Sequence, residues 1–145
     1  MDVWGTDSTV IGGVVELAGV AVVGPDAAVW VCALEASPEG LAMAVGVQVD
    51  PASLRPGGDV YEASTTATIA LEVDGRRVPG AQRSSGGGDW RMVADWRFAP
   101  LPDDRDGAVI LLGWPERGLP ETRFPLPAGA LAAAAGRAHA IRGPA

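Results

Sequence analysis

The sequence predicts a mainly β protein: an antiparallel β-sandwich of six to seven strands with one short C-terminal α-helix. Three observations support this fold class. Apolar residues alternate with a period of two in several segments, which is typical of strands that bury one face. Gly (20) and Pro (12) are frequent among the 145 residues and separate these segments with turn signals. An Ala-rich segment with helical spacing occurs only near the end of the chain. The length suits a single domain, residues 1–145.

The first strands are predicted in the N-terminal third. "VVELAGVAVVG" (14–24) indicates a strand that stops at Gly24-Pro25. "AAVWVCALEA" (27–36) is apolar on both faces and indicates a central strand. "LAMAVGVQV" (41–49) alternates large and small residues, and the small ones would let another layer approach closely. "SPEG" between the last two segments is a turn signal, so residues 28–49 are predicted to form a β-hairpin.

Further strands are predicted at 67–73 and 90–98. "ATIALEV" alternates, and Asp74-Gly75 directly after it is a strong hairpin signal. "WRMVADWRF" places Trp90, Met92, Ala94, Trp96 and Phe98 on one face. Two segments, 50–66 and 79–89, are polar or rich in Gly. We expect both to be flexible loops, and the first is of the kind that crosses between sheets or stays mobile.

The stretch "RFAPLPDDRDGAVILLGWPERGLPET" (97–122) is interpreted as a hinge of the fold. Pro100 and Pro102 lack an N–H donor and end the preceding strand. Asp103, Asp104 and Asp106 are expected to be solvated at the corner that follows. "AVILL" is then a strand covered on both faces, which ends at Trp114-Pro115.

The C-terminal helix is predicted over about 127–142, "PAGALAAAAGRAHAIR". Alanine is the best helix former. One narrow face carries Leu131, Ala134, Ala135, Ala138 and Ile141. Arg137, His139 and Arg142 suit the negative end of the helix dipole, and Gly143-Pro144 stops the helix.

Several of these segments together resemble a known family. They are "AVWVCALEASPEGLAMAVGVQV", "ALEVDGRRV", "SSGGGDW", "RFAPLPDD", "GAVILLGWPERGLPETRF" and the Ala-rich helix, within residues 20–142. In these the chain resembles a family of small uncharacterised β-rich proteins of GC-rich bacteria, to which no activity is assigned. The resemblance implies a β-sandwich and supplies no catalytic residues. The ending "AIRGPA" departs from the pattern, because it lacks a closing large aromatic residue.

Composition excludes several partners. The net charge of −7 opposes binding to a phosphate backbone, so no nucleic acid is expected. The sequence contains no uninterrupted run of about 18 apolar residues, so no membrane span is predicted. The acidic start lacks the basic flank of a signal peptide. A single cysteine, Cys32, cannot form an intrachain disulfide and fits a reducing compartment, so we predict a cytoplasmic location.

The usual catalytic and metal sites are also absent from the pattern. "DDRDG" keeps only two carboxylates at the spacing of a calcium loop. His139 is the one histidine, on a helix near the chain end, and one Cys with one His cannot build a standard zinc site. "SSGGGDW" lacks the lysine of a phosphate-binding loop. We therefore predict no catalytic residues, no metal and no cofactor.

The tryptophans at strand ends suggest a binding surface. Core packing is the expected role of the tryptophans in or at the ends of strands, and the functional alternative is that Trp90 and Trp114, which lie near loops, form an aromatic patch for a partner. The sequence thus favours a non-enzymatic protein-interaction or assembly module that binds another protein or itself. Its candidate binding residues are Trp90, Trp114, Asp103, Asp104 and Asp106. The alternatives are a carboxylate-dependent hydrolase using the three aspartates, and a small-ligand-binding β-sandwich.

Overall fold

A computed structural model of the chain describes residues 10–140. Short 3-10 turns at Pro51–Ser53, Ser64–Thr66 and Pro115–Arg117 accompany the strands and helices. The strands and α-helices of the described residues are, in chain order, β1 (Val10–Ile11), β2 (Gly13–Val14), β3 (Ala21–Val23), β4 (Ala27–Ser37), β5 (Gly40–Val49), α1 (Val60–Ala63), β6 (Thr68–Val73), β7 (Arg76–Arg77), β8 (Gly80–Gly87), β9 (Arg91–Phe98), β10 (Val109–Trp114), β11 (Leu119–Pro125), α2 (Ala130–Ala135) and β12 (His139–Ala140).

Two antiparallel sheets make up the fold. The larger sheet has the order β2-β4-β5-β9-β8, and β3 pairs with β4 on the same edge as β2. The smaller sheet has the order β11-β10-β6-β7. β1 and β12 form a separate two-stranded ribbon. The predicted antiparallel β-sandwich is confirmed. The described strands outnumber the six to seven predicted, because five of them are only two or three residues long.

The core lies between the two sheets. On β5 the predicted face is fully buried: Leu41, Met43, Val45, Val47 and Val49 are each at most 1% exposed. From the smaller sheet, β10 contributes Ile110, Leu112 and Trp114, all 0% exposed, to the same cluster. This burial confirms the alternation on β5. On the opposite face of β10, Leu111 is 0% exposed and Val109 is partly buried, which confirms the prediction that "AVILL" is covered on both faces. Removing such apolar surface from water is the main stabilising term of the fold.

The predicted hairpin of residues 28–49 is confirmed. β4 and β5 pair from Ala27↔Val49 to Ser37↔Gly40, with one irregularity between Val31 and Ala33. The small residues on the other face of β5 have a local use: a Cβ added at Gly46 would lie 2.1 Å from an indole carbon of Trp30. Trp30, on the neighbouring strand, therefore packs across β5 where only glycine leaves room. The Asp74-Gly75 signal also forms its hairpin, between β6 and β7, with φ of 52° and 74°.

The prediction of one continuous first strand over 14–24 is wrong. β2 pairs with Glu35 and Ala36, whereas β3 pairs with Ala28–Trp30 farther along β4. Gly19 between them has φ 67°, a conformation that breaks an extended strand. The chain bulges out between β2 and β3 and returns to the same edge.

The prediction of a loop at 79–89 is also wrong. Residues Gly80–Gly87 form β8, which pairs with β9 from Gly80↔Phe98 to Gly87↔Met92. Scarcity of apolar residues does not prevent pairing at a sheet edge, because the backbone hydrogen bonds come from the neighbouring strand. Residues 88–90 then form the turn into β9.

The polar connection 50–66 does cross from β5 in the larger sheet to β6 in the smaller one, as predicted. It is not a plain loop, because it contains α1 and two of the 3-10 turns. The Asp50 and Asp59 side chains accept hydrogen bonds from the Ala52 and Glu62 amides and cap the first turn and α1. Val60 is fully buried and anchors the segment.

The C-terminal helix is shorter than the predicted 127–142. α2 spans Ala130–Ala135, and the chain re-extends into β12, where His139 pairs with Ile11. Gly136 weakens continuation of the helix. Leu131, Ala134 and Ala135 are buried as predicted. Ile141, Arg142 and the predicted stop at Gly143-Pro144 lie outside the described residues. Within 10–140, neither α-helix has the length and apolar character needed to cross a membrane.

Candidate functional site

The predicted aspartate corner has a structural role at Asp104. Its side chain is 1% exposed, where solvation was expected. Oδ2 accepts a hydrogen bond from the Leu131 amide at 2.7 Å, and Oδ1 accepts one from the Ala132 amide at 3.3 Å. Asp104 therefore caps α2 from a distant loop, because the helix's own N-cap, Gly129, has no side chain. The prediction that Asp104 faces a partner is wrong.

Asp103 and Asp106 are exposed at the same corner. Asp103 is paired with Arg105: the guanidinium Nε donates to Oδ2 at 3.0 Å. This hydrogen bond lowers the pKa of Asp103 below its ordinary value of 3.8 and raises the pKa of Arg105. A general acid needs a raised pKa so that it carries a proton near neutral pH, whereas the lowered pKa of Asp103 keeps its carboxylate charged. The three aspartates do not share a pocket among the four cavities described below.

Trp114 is also part of the fold. Its side chain is 0% exposed, and its Nε1 donates to Thr66 Oγ1 at 2.9 Å. The Arg117 guanidinium lies 5.3 Å from the ring centroid. The predicted aromatic patch of Trp90 and Trp114 is therefore wrong, since a fully buried indole cannot face a partner. Core packing, the expected role of these residues, is confirmed for Trp114.

Trp90 differs, because its side chain is 45% exposed. It lines a cleft of about 420 Å³ at one end of the sandwich. We call this the Trp90 cleft. Its walls are Trp90, residues 23–28 around the β3–β4 turn, and residues 48–51 at the end of β5. The apolar lining includes Val23, which is 74% exposed. Two carboxylates, Asp26 and Asp50, lie among the lining residues.

Backbone hydrogen bonds fix the three segments of the cleft to one another. The Asp50 amide donates to the Asp26 carbonyl at 2.7 Å, which joins the β3–β4 turn to the end of β5. The Val49 amide donates to the Trp90 carbonyl at 2.9 Å. The Gly24 amide closes its turn on the Ala27 carbonyl at 2.9 Å. A wall held by main-chain hydrogen bonds is ordered before a ligand arrives, so little entropy is lost on binding.

A second, smaller concavity adjoins Trp90. It has about 310 Å³ and is lined by Gly86–Gly88 and by Trp90–Val93. Val93 is 41% exposed there. The indole thus stands between two depressions, one with carboxylates and one mainly apolar. Two other cavities lie elsewhere: a groove beside α2 lined in part by Val14 and Arg137, and one between the 50–66 segment and Glu116–Arg117.

The residues considered for catalysis are placed apart from this cleft. His139 lies on β12, and Cys32 is exposed on β4. Across residues 10–140, no group of three or more His, Cys, Asp or Glu side chains is arranged to hold a metal ion. The chemistry that the cleft offers is recognition, through an indole face, apolar side chains and carboxylate oxygens.

Sequence reasoning identified Trp90 but missed Asp26, Asp50 and Val23. A signal for them was present. The predicted hairpin centred on Pro38-Glu39 places residues 26 and 27 opposite residues 49–51, so the turns at Pro25-Asp26 and Asp50-Pro51 must be neighbours.

Comparison of the chain with protein-family models, with curated proteins and with solved structures finds no match. The resemblance to the β-rich family of GC-rich bacteria therefore stays a prediction that rests on the motifs quoted above. Any function must be argued from the geometry of the molecule itself.

Proposed function

We propose that this chain is a non-enzymatic protein-interaction module and that it binds its partner through the Trp90 cleft. The observation that carries the proposal is an indole that is 45% exposed in a concave surface with a fixed backbone. Tryptophan is enriched at the centres of protein interfaces, because it buries a large area with few rotatable bonds. The partner is another protein or a second copy of the chain, in an assembly located in the cytoplasm.

The acidic character of the chain supports a protein partner. A net charge of −7 attracts basic surfaces and repels phosphate backbones. The hydrolase alternative has lost the residues on which it depended, since Asp104 caps α2 and Asp103 is paired with Arg105. The small-ligand alternative keeps one favourable observation, because about 420 Å³ is within the size range of ligand pockets.

Affinity capture with matched variants tests the proposal. The bait is the full chain as wild type, as Trp90→Ala and as Val14→Ala. Val14 is the control, because it is 59% exposed and lies outside the cleft. We expect a partner retained by wild type and Val14→Ala and lost with Trp90→Ala, each bait being checked by circular dichroism.

Light scattering after size exclusion separates the two forms of the proposal. A wild-type dimer that Trp90→Ala converts to monomer identifies self-association. A monomeric chain whose captured proteins are the same for all three baits would refute the proposal. If instead only small molecules raise its melting temperature, through mass action, the small-ligand alternative holds.

A further inference from the structure

We propose that the Trp90 cleft recognises a positively charged side chain, an arginine or lysine in an exposed basic segment of the partner protein. This inference rests on the proposed function and adds the chemical class of the ligand. It follows from the lining of the cleft, which combines an exposed indole with the carboxylates of Asp26 and Asp50. An indole face attracts cations through its quadrupole, and carboxylates accept charge-assisted hydrogen bonds.

The same kind of contact occurs twice inside the molecule. The Arg91 guanidinium lies 5.3 Å from the ring centroid of Trp30, and that of Arg117 lies 5.3 Å from that of Trp114. Both are within the range of cation–π attraction. Within residues 10–140 no arginine lies over Trp90. Its exposed indole therefore has no cation from the described residues over it.

The carboxylates of the cleft are also available. In the described part of the chain, neither Asp26 nor Asp50 forms a salt bridge with an arginine. Asp50 accepts one hydrogen bond through Oδ1, from the Ala52 amide at 3.0 Å, and its second oxygen remains for a ligand.

The apolar walls indicate a peptide segment in preference to a free small cation. Val23, Pro25 and Pro51 line the cleft and are exposed. They offer contact area to the aliphatic stem of a long basic side chain and to a neighbouring apolar residue. The net charge of −7 adds long-range attraction, which speeds encounter with a basic partner and weakens with salt.

The test uses a peptide pair and the full chain. The probes are acetyl-Gly-Val-Arg-Val-Gly-amide and the same peptide with citrulline, a neutral isostere of arginine, in the central position. Binding is followed by NMR, through the indole N–H signal of Trp90. We expect saturable chemical-shift changes with the arginine peptide. The dissociation constant of the citrulline peptide should be about fivefold larger, because the cation–π and ion-pair contributions are lost.

Charge-neutralising variants locate the site. Asp26→Asn and Asp50→Asn remove one charge each, and the asparagine at 50 keeps a carbonyl oxygen for the Ala52 amide. Asp106→Asn is the control, because it makes the same charge change on an exposed residue that does not line the cleft. Each cleft variant should bind the arginine peptide about two- to fivefold more weakly than wild type, and the control should bind it with the wild-type dissociation constant within error.

The inference would be overturned by equal binding of the arginine and citrulline peptides, or by an equal loss of binding in the cleft variants and the control. Absence of arginine-peptide binding up to 10 mM, a limit about 10-fold above a weak 1 mM contact, would also overturn it. These outcomes are separable from failure of the proposed function. A partner whose capture requires Trp90 but not Asp26 or Asp50 leaves the interaction module standing and excludes the basic ligand.

Discussion

Removal of the Asp104 side chain tests the link between the aspartate corner and the C-terminal helix. In Asp104→Ala, the amides of Leu131 and Ala132 lose the acceptors that lie 2.7 and 3.3 Å away. Loss of a helix cap costs about 0.5–2 kcal/mol, and a buried donor without a partner costs about 1–3 kcal/mol. Asp104 is 1% exposed, so water does not readily replace it. We expect the free energy of unfolding to fall by about 2–3 kcal/mol.

Two further variants calibrate this loss. Asp104→Asn retains one carbonyl oxygen for the shorter bond, so its cost should be about 1 kcal/mol. Asp106→Ala removes an exposed carboxylate from the same corner and should change stability by no more than about 0.5 kcal/mol.

Urea unfolding followed by circular dichroism measures these differences. At 145 residues, 2–3 kcal/mol corresponds to a melting temperature lower by about 5–10 °C. The denaturant slope should stay unchanged, since the native fold is kept. If Asp104→Ala unfolds at the same urea concentration as Asp106→Ala, Asp104 does not cap α2 and the reasoning is refuted.

Three other predictions use the same unfolding assay or NMR. Gly46→Ala should destabilise the chain by about 1–3 kcal/mol, because the added Cβ would lie 2.1 Å from an indole carbon of Trp30. Gly86→Ala is the control: its added Cβ has nothing within 4 Å, so its stability should be within about 0.5 kcal/mol of wild type. Equal losses of stability in the two variants would contradict the close packing at Gly46. Thr66→Val should cost about 1–3 kcal/mol, because the buried indole N–H of β10 loses its acceptor at 2.9 Å, and a neutral result would show that this bond is dispensable. Because the folded-state pKa of Asp103 is depressed, its contribution to stability is present above the unfolded pKa and is lost as pH falls through the folded value. Arg105→Gln should therefore move the NMR titration midpoint of Asp103 up toward 3.8, and an unchanged midpoint would refute the pairing.

The sequence was sufficient for the parts of the fold that depend on local periodicity and turn chemistry. The burial of every second residue from Leu41 to Val49 followed from a period of two, and the β6–β7 hairpin followed from Asp74-Gly75. The errors arose where the partner of a segment lies far away in the chain. Gly80–Gly87 looks unstructured by itself and becomes a strand only because β9 pairs with it. Local composition carries no information on such a neighbour.

The candidate binding residues also fall into those that local sequence placed correctly and those whose partners lie far away in the chain. Trp90 was identified because tryptophan near a loop is a local signal. Asp104 was assigned to solvent because its surroundings in sequence are polar, although its hydrogen-bond partners are 27 and 28 residues away. Both buried members of the predicted binding set, Asp104 and Trp114, are held by such distant contacts. Polar or aromatic residue type therefore could not separate a binding residue from a structural one.

The aspartate corner and the Trp90 cleft differ in the hydrogen bonds that hold their residues in place. At the aspartate corner, side chains hold the structure: the Asp104 carboxylate caps α2, and Asp103 binds Arg105. At the Trp90 cleft, Trp90 and Asp26 accept backbone hydrogen bonds through their carbonyl oxygens, whereas the Asp50 carboxylate caps the turn Pro51–Ser53. Any residue type supplies the carbonyls at positions 26 and 90, so these two hydrogen bonds do not require an aspartate or a tryptophan there. Trp90 is 45% exposed and does not belong to the hydrophobic core cluster, so a partner bound in the cleft, as proposed above, would bury indole surface that folding leaves in water.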